Sequence, residues 1–355
     1  MLCVNQGEIS HVVSIPTSGT TGSPKQLYFT AQDQESSIEM FVNSMSQLIQ
    51  AGDVVSILLP ASRPGGVGDL LAQAISRLRA QPIRYGHIEN LPNALESLIS
   101  QSVVSLVGLP AHALALTKYY QIKKYKRKIR LSRILLCADY VSQAIKDKIA
   151  EIWGCQVFSY YGLTEAGFGG GMDCQANNGY HLHEADLYFE IIDPISGRPK
   201  PDGQQGEVVI STLTRRGMPL FRYRTGDLSA LIVGSCPCGS ITRRLATIRE
   251  RMGGPASIGS DRCLTIADLD EALFPIFGLV DFSATIQKQQ DKTRLEIITS
   301  TLSPNSSEKQ VRQSLSSIPA ICGALKSGIL DLTIKEKFID NTISFCPGKR
   351  IIYVL

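Results

Sequence analysis

The chain has 355 residues, 43% of them hydrophobic and 19% charged, with a formal charge of +4. That length carries two or three domains with a substantial core, and the composition is that of an ordinary soluble globular protein. The charge is too small to argue for nucleic acid, no apolar run approaches the ~20 residues that span a bilayer, and the first residues lack a signal-peptide pattern. The expectation is therefore small-molecule partners, with no nucleic acid and no membrane.

In chain order the first feature is the loop Thr17-Ser-Gly-Thr-Thr-Gly-Ser-Pro-Lys25. Thr17, Ser18, Thr20, Thr21 and Ser23 are short hydroxyl donors, while Gly19 and Gly22 let backbone N–H groups approach an anion closely. Lys25 adds a charge that can reach a terminal phosphate. The glycine spacing is not that of the common P-loop, and composition alone also fits a polar surface turn. The order of hydroxyls, glycines and Pro-Lys, followed by the strand-like Gln26–Thr30, favours phosphate binding. The 16 residues ahead of this loop imply either a naturally short chain or one lacking its beginning.

Thr30 then suits a helix N-cap with Asp33 at the third helical position. Ile38, Phe41, Met45, Leu48 and Ile49 recur at helical spacing. Strands are predicted at Val54–Leu59, Pro82–Tyr85, Val103–Val107, Ile134–Cys137 and Gln156–Tyr160. Between them run helices with Val67, Leu70, Leu71, Ala74 and Leu78 on one side, then over Leu91–Gln101, Ala111–Tyr120 and Ser142–Trp153. Such alternation means a mainly parallel sheet covered by helices, whose ligands bind beyond the strand C-termini. Seven cations, Lys118, Lys123, Lys124, Lys126, Arg127, Lys128 and Arg130, are expected to form a solvated helix end. The alternative is a docking surface for the phosphates of coenzyme A or for an acidic partner.

From Tyr188 strands follow one another without helices: Tyr188–Asp193, Gly206–Thr212 and Asp227–Val233. The breaker-rich Gly253–Gly259 marks a boundary. Beyond it a compact α+β lobe is predicted, with helices Ile266–Leu273 and Ser306–Leu315 and strands Val280–Ile286, Leu295–Thr299 and Ile329–Lys335. The fold class is thus α/β. A large N-terminal lobe over 1–251 carries a small β subdomain at about 174–251, and a small mobile α+β lobe follows over 252–355.

The phosphate loop, Tyr160-Tyr-Gly-Leu-Thr-Glu165 and Tyr223-Arg-Thr-Gly-Asp227 occur in the order of the three nucleotide motifs of the adenylate-forming superfamily. The chain resembles that superfamily, and from Gly169 to Arg244 it is similar to phenylacetate–CoA ligases. The resemblance implies that a carboxylate attacks the α-phosphate of ATP, giving acyl-AMP and pyrophosphate, before coenzyme A captures the acyl group. Both reactants are anionic, so such catalysis is mostly neutralisation and alignment. Thr17, Ser18, Gly19, Thr20, Thr21, Gly22 and Lys25 would hold the outer phosphates. Glu165 would hold Mg²⁺, and Thr164 would donate to the α-phosphate. Tyr161 would offer its face to adenine, and Ala138, Asp139, Tyr160 and Gly162 would complete the nucleotide site. Asp227 is acceptor-only when ionised, which suits ribose hydroxyls.

Near the end, Phe345-Cys-Pro-Gly-Lys349 resembles the superfamily's tail lysine, so Lys349 would meet the developing acyl phosphate; an exposed terminal lysine is the plainer alternative. The usual Gly-Arg-x-Asp-Asp hinge is replaced by Ile248-Arg-Glu-Arg-Met-Gly-Gly254. Arg251 matches the hinge arginine that touches ribose, but both aspartates are absent. This puts domain rotation, and with it thioester formation, in question. Adenylylation of an acceptor other than coenzyme A, or a nucleotide-binding protein with weakened catalysis, are the alternative functions.

Nine cysteines favour reduced thiols or metal ligands in a cytoplasmic protein over a disulfide framework. The ligase resemblance singles out Cys174, His181, Cys236 and Cys238 as a closed zinc set of structural type, with His183 as the competing imidazole. Cys3, Cys137, Cys155, Cys263, Cys322 and Cys346 have no partner pattern. A homodimer is compatible with these relatives, and the acid itself follows no motif.

Overall fold

The computed structural model describes residues 12–16, 26–125, 129–259, 262–288, 292–303, 308–339 and 350–355. The chain opens with the antiparallel pair β1 (Val12–Pro16) and β2 (Gln26–Thr30), whose register closes at Pro16 opposite Gln26. Helix α1 (Ala31–Met45) starts on the expected capping box. The Thr30 hydroxyl accepts from Asp33 N–H, and Asp33 Oδ2 accepts from Thr30 N–H at 2.8 Å. Its apolar stripe, Ile38, Phe41 and Met45, is buried and continues into Leu48 and Ile49.

Five parallel strands follow, separated by helices: β3 (Val54–Leu58), α2 (Val67–Arg77), β4 (Gln81–Arg84), α3 (Leu91–Ser100), β5 (Ser105–Gly108), α4 (Pro110–Lys123), β6 (Arg133–Cys137), α5 (Gln143–Trp153) and β7 (Gln156–Gly162). Near-continuous apolar strands such as Arg133-Ile-Leu-Leu-Cys137 are buried on both faces, as a helix-covered parallel sheet requires. Beyond β7 the sheet changes polarity. Strand β8 (Gly170–Met172) returns antiparallel to β7, and β9 (Tyr180–Leu182) is antiparallel to β8.

Strands β10 (Leu187–Ile192), β11 (Gly206–Thr212) and β12 (Tyr223–Ser229) form an antiparallel meander. The short β13 (Arg244–Leu245) pairs with β9, and β14 (Glu250–Arg251) completes the meander against β12. Two strands of the stretch expected to be a β subdomain, β9 and β13, thus extend the large sheet instead. Among the described residues that sheet has eight strands, in the order β13-β9-β8-β7-β6-β5-β3-β4.

The remainder pairs β15 (Ala256–Ser257) with β16 (Cys263–Leu264), followed by α6 (Ile266–Leu273), β17 (Leu279–Lys288), β18 (Thr293–Thr301), α7 (Glu308–Ser316), α8 (Pro319–Lys326), β19 (Leu330–Phe338) and β20 (Ile352–Val354). A four-stranded sheet, β19-β18-β17-β20, carries these helices.

One expectation fails outright. Lys118, assigned to a solvated helix end, is 1% exposed on a helix buried from Pro110 to Tyr119. Its ammonium donates to the carbonyls of Phe274, Ile276 and Leu279 at 2.6–2.7 Å. Phe274 is the C-cap of α6, Ile276 lies two residues beyond it and Leu279 opens the next strand, so the three donors of one lysine tie the helix end to the strand that follows. Lys123, Lys124 and Arg130 are exposed as expected; Lys126, Arg127 and Lys128 lie outside the described residues.

Asp33 does more than cap its helix. Its carboxylate also accepts from Arg216 N–H (2.7 Å) and Gly217 N–H (2.9 Å), tying the loop before β12 to the start of α1. A Cβ on Gly217 would lie 2.7 Å from Asp33 Oδ2, so the approach requires glycine. Asp33→Ala removes a cap and leaves two further N–H groups without their acceptor. It should cost about 2–3 kcal/mol, read as a lower urea midpoint at unchanged slope.

Candidate functional site at the sheet C-terminal edge

The polarity change at β7 builds the site. Because β8 returns beside β7, the connection must reverse within residues 163–169, which it does through a single 3-10 turn, Thr164–Ala166. That turn lies beyond the C-terminal edge of the parallel strands, where open α/β sheets present their crevice. Gly162 leads into it. A Cβ there would meet Phe168 O at 2.6 Å, so only glycine lets the two arms come this close.

Glu165 is held at two points. Arg215 donates to its backbone carbonyl, and Tyr223 OH donates to its Oε1 at 3.0 Å. Arg215 stacks its guanidinium over the Phe29 ring at 4.1 Å; burial lowers its pKa to about 10, opposed by the charges of Asp33 and Glu165. Neither Arg215 nor Tyr223 was singled out from sequence. Tyr223 had a signal, since strand alternation puts Tyr223, Thr225 and Asp227 on one face of β12.

Asp227 is 5% exposed and engaged on both oxygens. Tyr161 OH donates to Oδ2 at 2.8 Å, and Arg251 Nε lies 2.8 Å from Oδ1. Arg251 also donates from Nη2 to Thr225 O, at the β12–β14 pairing that sets Asp227 opposite Arg251. Tyr161 therefore enters the site through its hydroxyl as well as its ring. Burial and the Asp227 charge raise its pKa far above the ordinary tyrosine range, so it acts as a neutral donor.

Against the turn lies an apolar cavity of about 140 Å³. Phe41, Leu71, Val107, Leu135 and Phe168 give it apolar walls, and Cys137, Ala138, Tyr160, Gly162 and Thr164 close the end nearest the turn. Ala138 has φ +69°, a left-handed conformation rare for a residue with a side chain and common at binding sites. Tyr160 is buried, with its hydroxyl on Phe168 O, so it serves as cavity wall. Asp139 turns the other way, its carboxylate accepting from Tyr140 N–H and lying 3.3 Å from Arg350. Thr17, Ser18, Gly19, Thr20, Thr21, Gly22, Lys25 and Lys349 lie outside the described residues, as do Cys3 and Cys346.

A second cluster forms on the far side of β8. The ligand atoms of Cys174, His181, Cys236 and Cys238 all fall within 4.8 Å of one another. Cys174 Sγ is 3.6 Å from Cys236 Sγ, and Cys238 Sγ is 3.4 Å from His181 Nε2. Zinc–ligand bonds of about 2.3 Å to sulfur and 2.0–2.1 Å to nitrogen span tetrahedral edges of this size, so the donor set fits that ion. His181 Nδ1 is taken by Thr242 Oγ1 at 2.9 Å, which leaves Nε2 facing the thiols. His183 lies elsewhere, its ring nitrogens on Ser44 Oγ and Gly170 N–H.

A family model described as AMP-binding enzyme matches residues 9–214. The chain belongs to that family. Curated relatives are phenylacetate–coenzyme A ligases. That of Thermus thermophilus is 28% identical over 259 residues, covering 71% of this chain and 56% of that protein. That of Pseudomonas putida is 29% identical over 246 residues, covering 66% and 54%. The chain spans about half the length of these relatives. Within the adenylate-forming superfamily it sits on the phenylacetate–CoA ligase-like branch. Among solved structures, 2-hydroxyisobutyryl-CoA ligase in its postadenylation state superposes with a TM-score of 0.80 at 21% identity, covering 99% of this chain and 74% of that one. An open conformation of the same ligase gives 0.64 at 21% identity, covering 98% and 76%.

The Asp227 clamp predicts a coupling. Arg251→Ala removes the cation from a buried carboxylate that keeps Tyr161 as a donor, and should cost about 1–3 kcal/mol in urea unfolding, reduced from a fully buried pair because Arg251 is partly exposed. Adding Asp227→Asn to that variant should recover part of the loss. Additive losses would show that the two side chains are energetically independent.

Proposed function

We propose that the chain activates a carboxylic acid with ATP and passes the acyl group to coenzyme A. The observation that carries this reading is the convergence, at one edge of one sheet, of Thr164–Glu165, the Asp227–Arg251–Tyr161 clamp and an apolar cavity ending at Thr164. In the first step a carboxylate oxygen bonds to the α-phosphorus of ATP, and the bond to pyrophosphate breaks. In the second the thiol sulfur of coenzyme A bonds to the acyl carbon, its proton is lost, and AMP leaves.

Thr17, Ser18, Gly19, Thr20, Thr21, Gly22 and Lys25 connect β1 to β2 and would cradle the outer phosphates with hydroxyls, backbone N–H groups and one ammonium. Asp227 would accept from the ribose hydroxyls, with Arg251 keeping it oriented. Thr164 would donate to the α-phosphate, and Gly162 and Ala138 would let the nucleotide approach the strand ends. Asp139 and Tyr160 would act behind these residues, one holding the Ala138 turn and the other the cavity wall. Lys349 would bring a mobile charge to the developing acyl phosphate. Mg²⁺, when bound, would neutralise phosphate charge. Glu165 fits it, because Tyr223 engages one carboxylate oxygen and orients the group while lone pairs remain for a cation.

The cavity bears on the acid. A protein cavity of about 150 Å³ lined by Leu, Ile and Phe accommodates benzene, so about 140 Å³ here suits a single ring or a short branched chain. Acid-dependent exchange of labelled pyrophosphate into ATP should be strong with benzoate- or phenylacetate-sized acids and weak with long-chain acids. Exchange without any dependence on acid would overturn the reading. Exchange that occurs while coenzyme A never consumes the acyl-AMP would favour a different acceptor.

Cys174, His181, Cys236 and Cys238 would hold a structural zinc with no open position, so its contribution is to folding rather than chemistry. A cytoplasmic location would keep the thiols reduced. Cys236→Ala should lower bound zinc from about one per chain to a small fraction, and should lower the melting temperature. Wild-type protein purified without chelators and free of zinc by elemental analysis would reject the site.

A further inference from the structure

Within α1 the serines Ser36 and Ser37 turn their hydroxyls back onto the carbonyls of Gln32 and Asp33, as helix serines commonly do. Ser44, buried on the same helix, does not. Its Oγ lies 3.1 Å from His183 Nε2 and meets no other polar partner among the described residues. His183 directly follows β9, and its ring packs 5.7 Å from that of Tyr160. The His183 backbone N–H donates to Gly170 O at 3.0 Å, and Gly170 N–H donates in return to His183 Nδ1 at 3.3 Å.

That returning bond sets the direction of the serine–histidine pair. A ring nitrogen that accepts from an N–H carries no proton, so the imidazole hydrogen sits on Nε2. Nε2–H then donates to Ser44 Oγ, and the serine is the acceptor. The hydrogen of its own hydroxyl is left over, buried and with no acceptor among the described residues, an arrangement that costs stability until a partner arrives.

Ser44 lines the apolar cavity. Other polar side chains around that cavity are committed elsewhere. Tyr160 OH donates to Phe168 O, Cys137 Sγ faces Gly108 O at 3.9 Å, and Thr164 belongs to the turn, where the α-phosphate would lie. On the α1 wall, among Phe41 and Met45, Ser44 alone offers a hydrogen.

We propose that Ser44 is a specificity-determining donor, selecting a single-ring acid that carries an oxygen acceptor such as a hydroxyl on the ring. His183 is the positioning residue that leaves the Ser44 hydrogen free for it. This substrate class rests on the ligase reading proposed above, whereas the free donor rests on the hydrogen bonds alone.

Acid-dependent pyrophosphate exchange with hydroxybenzoates and with toluates of matching ring position reads the preference, because hydroxyl and methyl fill nearly the same space. In wild-type protein at least one hydroxybenzoate should exceed its toluate by about 10-fold or more in kcat/KM. The matching aminobenzoate, a poor acceptor, should fall behind it. Ser44→Ala should bring the hydroxy-to-methyl ratio to one or below, and so should His183→Leu. His183→Gln, whose amide can keep an N–H on Ser44, should retain most of the preference; a merely structural histidine would lower all acids alike. Phenol and toluene probe the cavity without the reaction. Ser44→Ala should shift the ratio of their dissociation constants, read by ligand-observed NMR, toward toluene by about 10-fold. Toluates used by wild-type protein as well as hydroxybenzoates, or an aminobenzoate preferred to its hydroxy counterpart, would overturn the proposal. So would a phenol-to-toluene ratio unmoved by Ser44→Ala or, should that variant not fold, by His183→Leu. No exchange with any acid, alongside an intact phenol-to-toluene shift, would reject the ligase reading and leave the Ser44 donor standing.

Discussion

Successive parallel strands can be joined only by a long crossover, and this chain abandons parallel pairing at β7. Strand β8 returns beside β7 after only residues 163–169, and that tight reversal forces a turn out beyond the sheet edge. Everything in the candidate site is arranged around it. The apolar cavity lies under the turn, Tyr223 and Arg215 hold Glu165 within it, and Asp227 reaches it through Tyr161. The geometry is thus a product of sheet polarity first and of individual side chains second.

The contacts that hold the site come from distant parts of the chain. Asp33 fastens the Arg215 loop, and β14 brings Arg251 onto Asp227. Such long-range ties join a helix start, a meander and a turn at the crevice. Side chains held at several points suit chemistry in which charge must be met in a fixed geometry. The partly exposed position of Glu165 between two fixed donors is consistent with a carboxylate kept available to an outside cation.

Much of this was legible in the sequence because the signals were local. The Thr30–Asp33 capping box, the α1 stripe, the strand Gly206–Thr212 and the helix Ile266–Leu273 follow from short patterns, and the structure reproduces them. The four-ligand cluster was legible only through family resemblance, because its members meet through the pairing of β9 with β13. What escaped was short or non-local. Strands β8 and β9 have three residues each, too few for a period. Helix α8 begins on a proline and buries only Ile321 and Ala324. Lys118 was misread for a plainer reason: in a run of cations a lysine is ordinarily solvated, and nothing within the run reveals three carbonyls more than 150 residues away.

The meeting of the Cys174 and Cys236 thiols also has a history written into it. The two sulfurs sit 3.6 Å apart although 62 positions separate them in the chain. On a ribosome adding roughly 5–20 residues each second, the Cys174 thiol emerges several seconds before those of Cys236 and Cys238. During that interval the large sheet still lacks β13. Until Cys236 and Cys238 follow, the donor set is incomplete, so the thiols need a reducing surrounding during synthesis as well as in the finished fold.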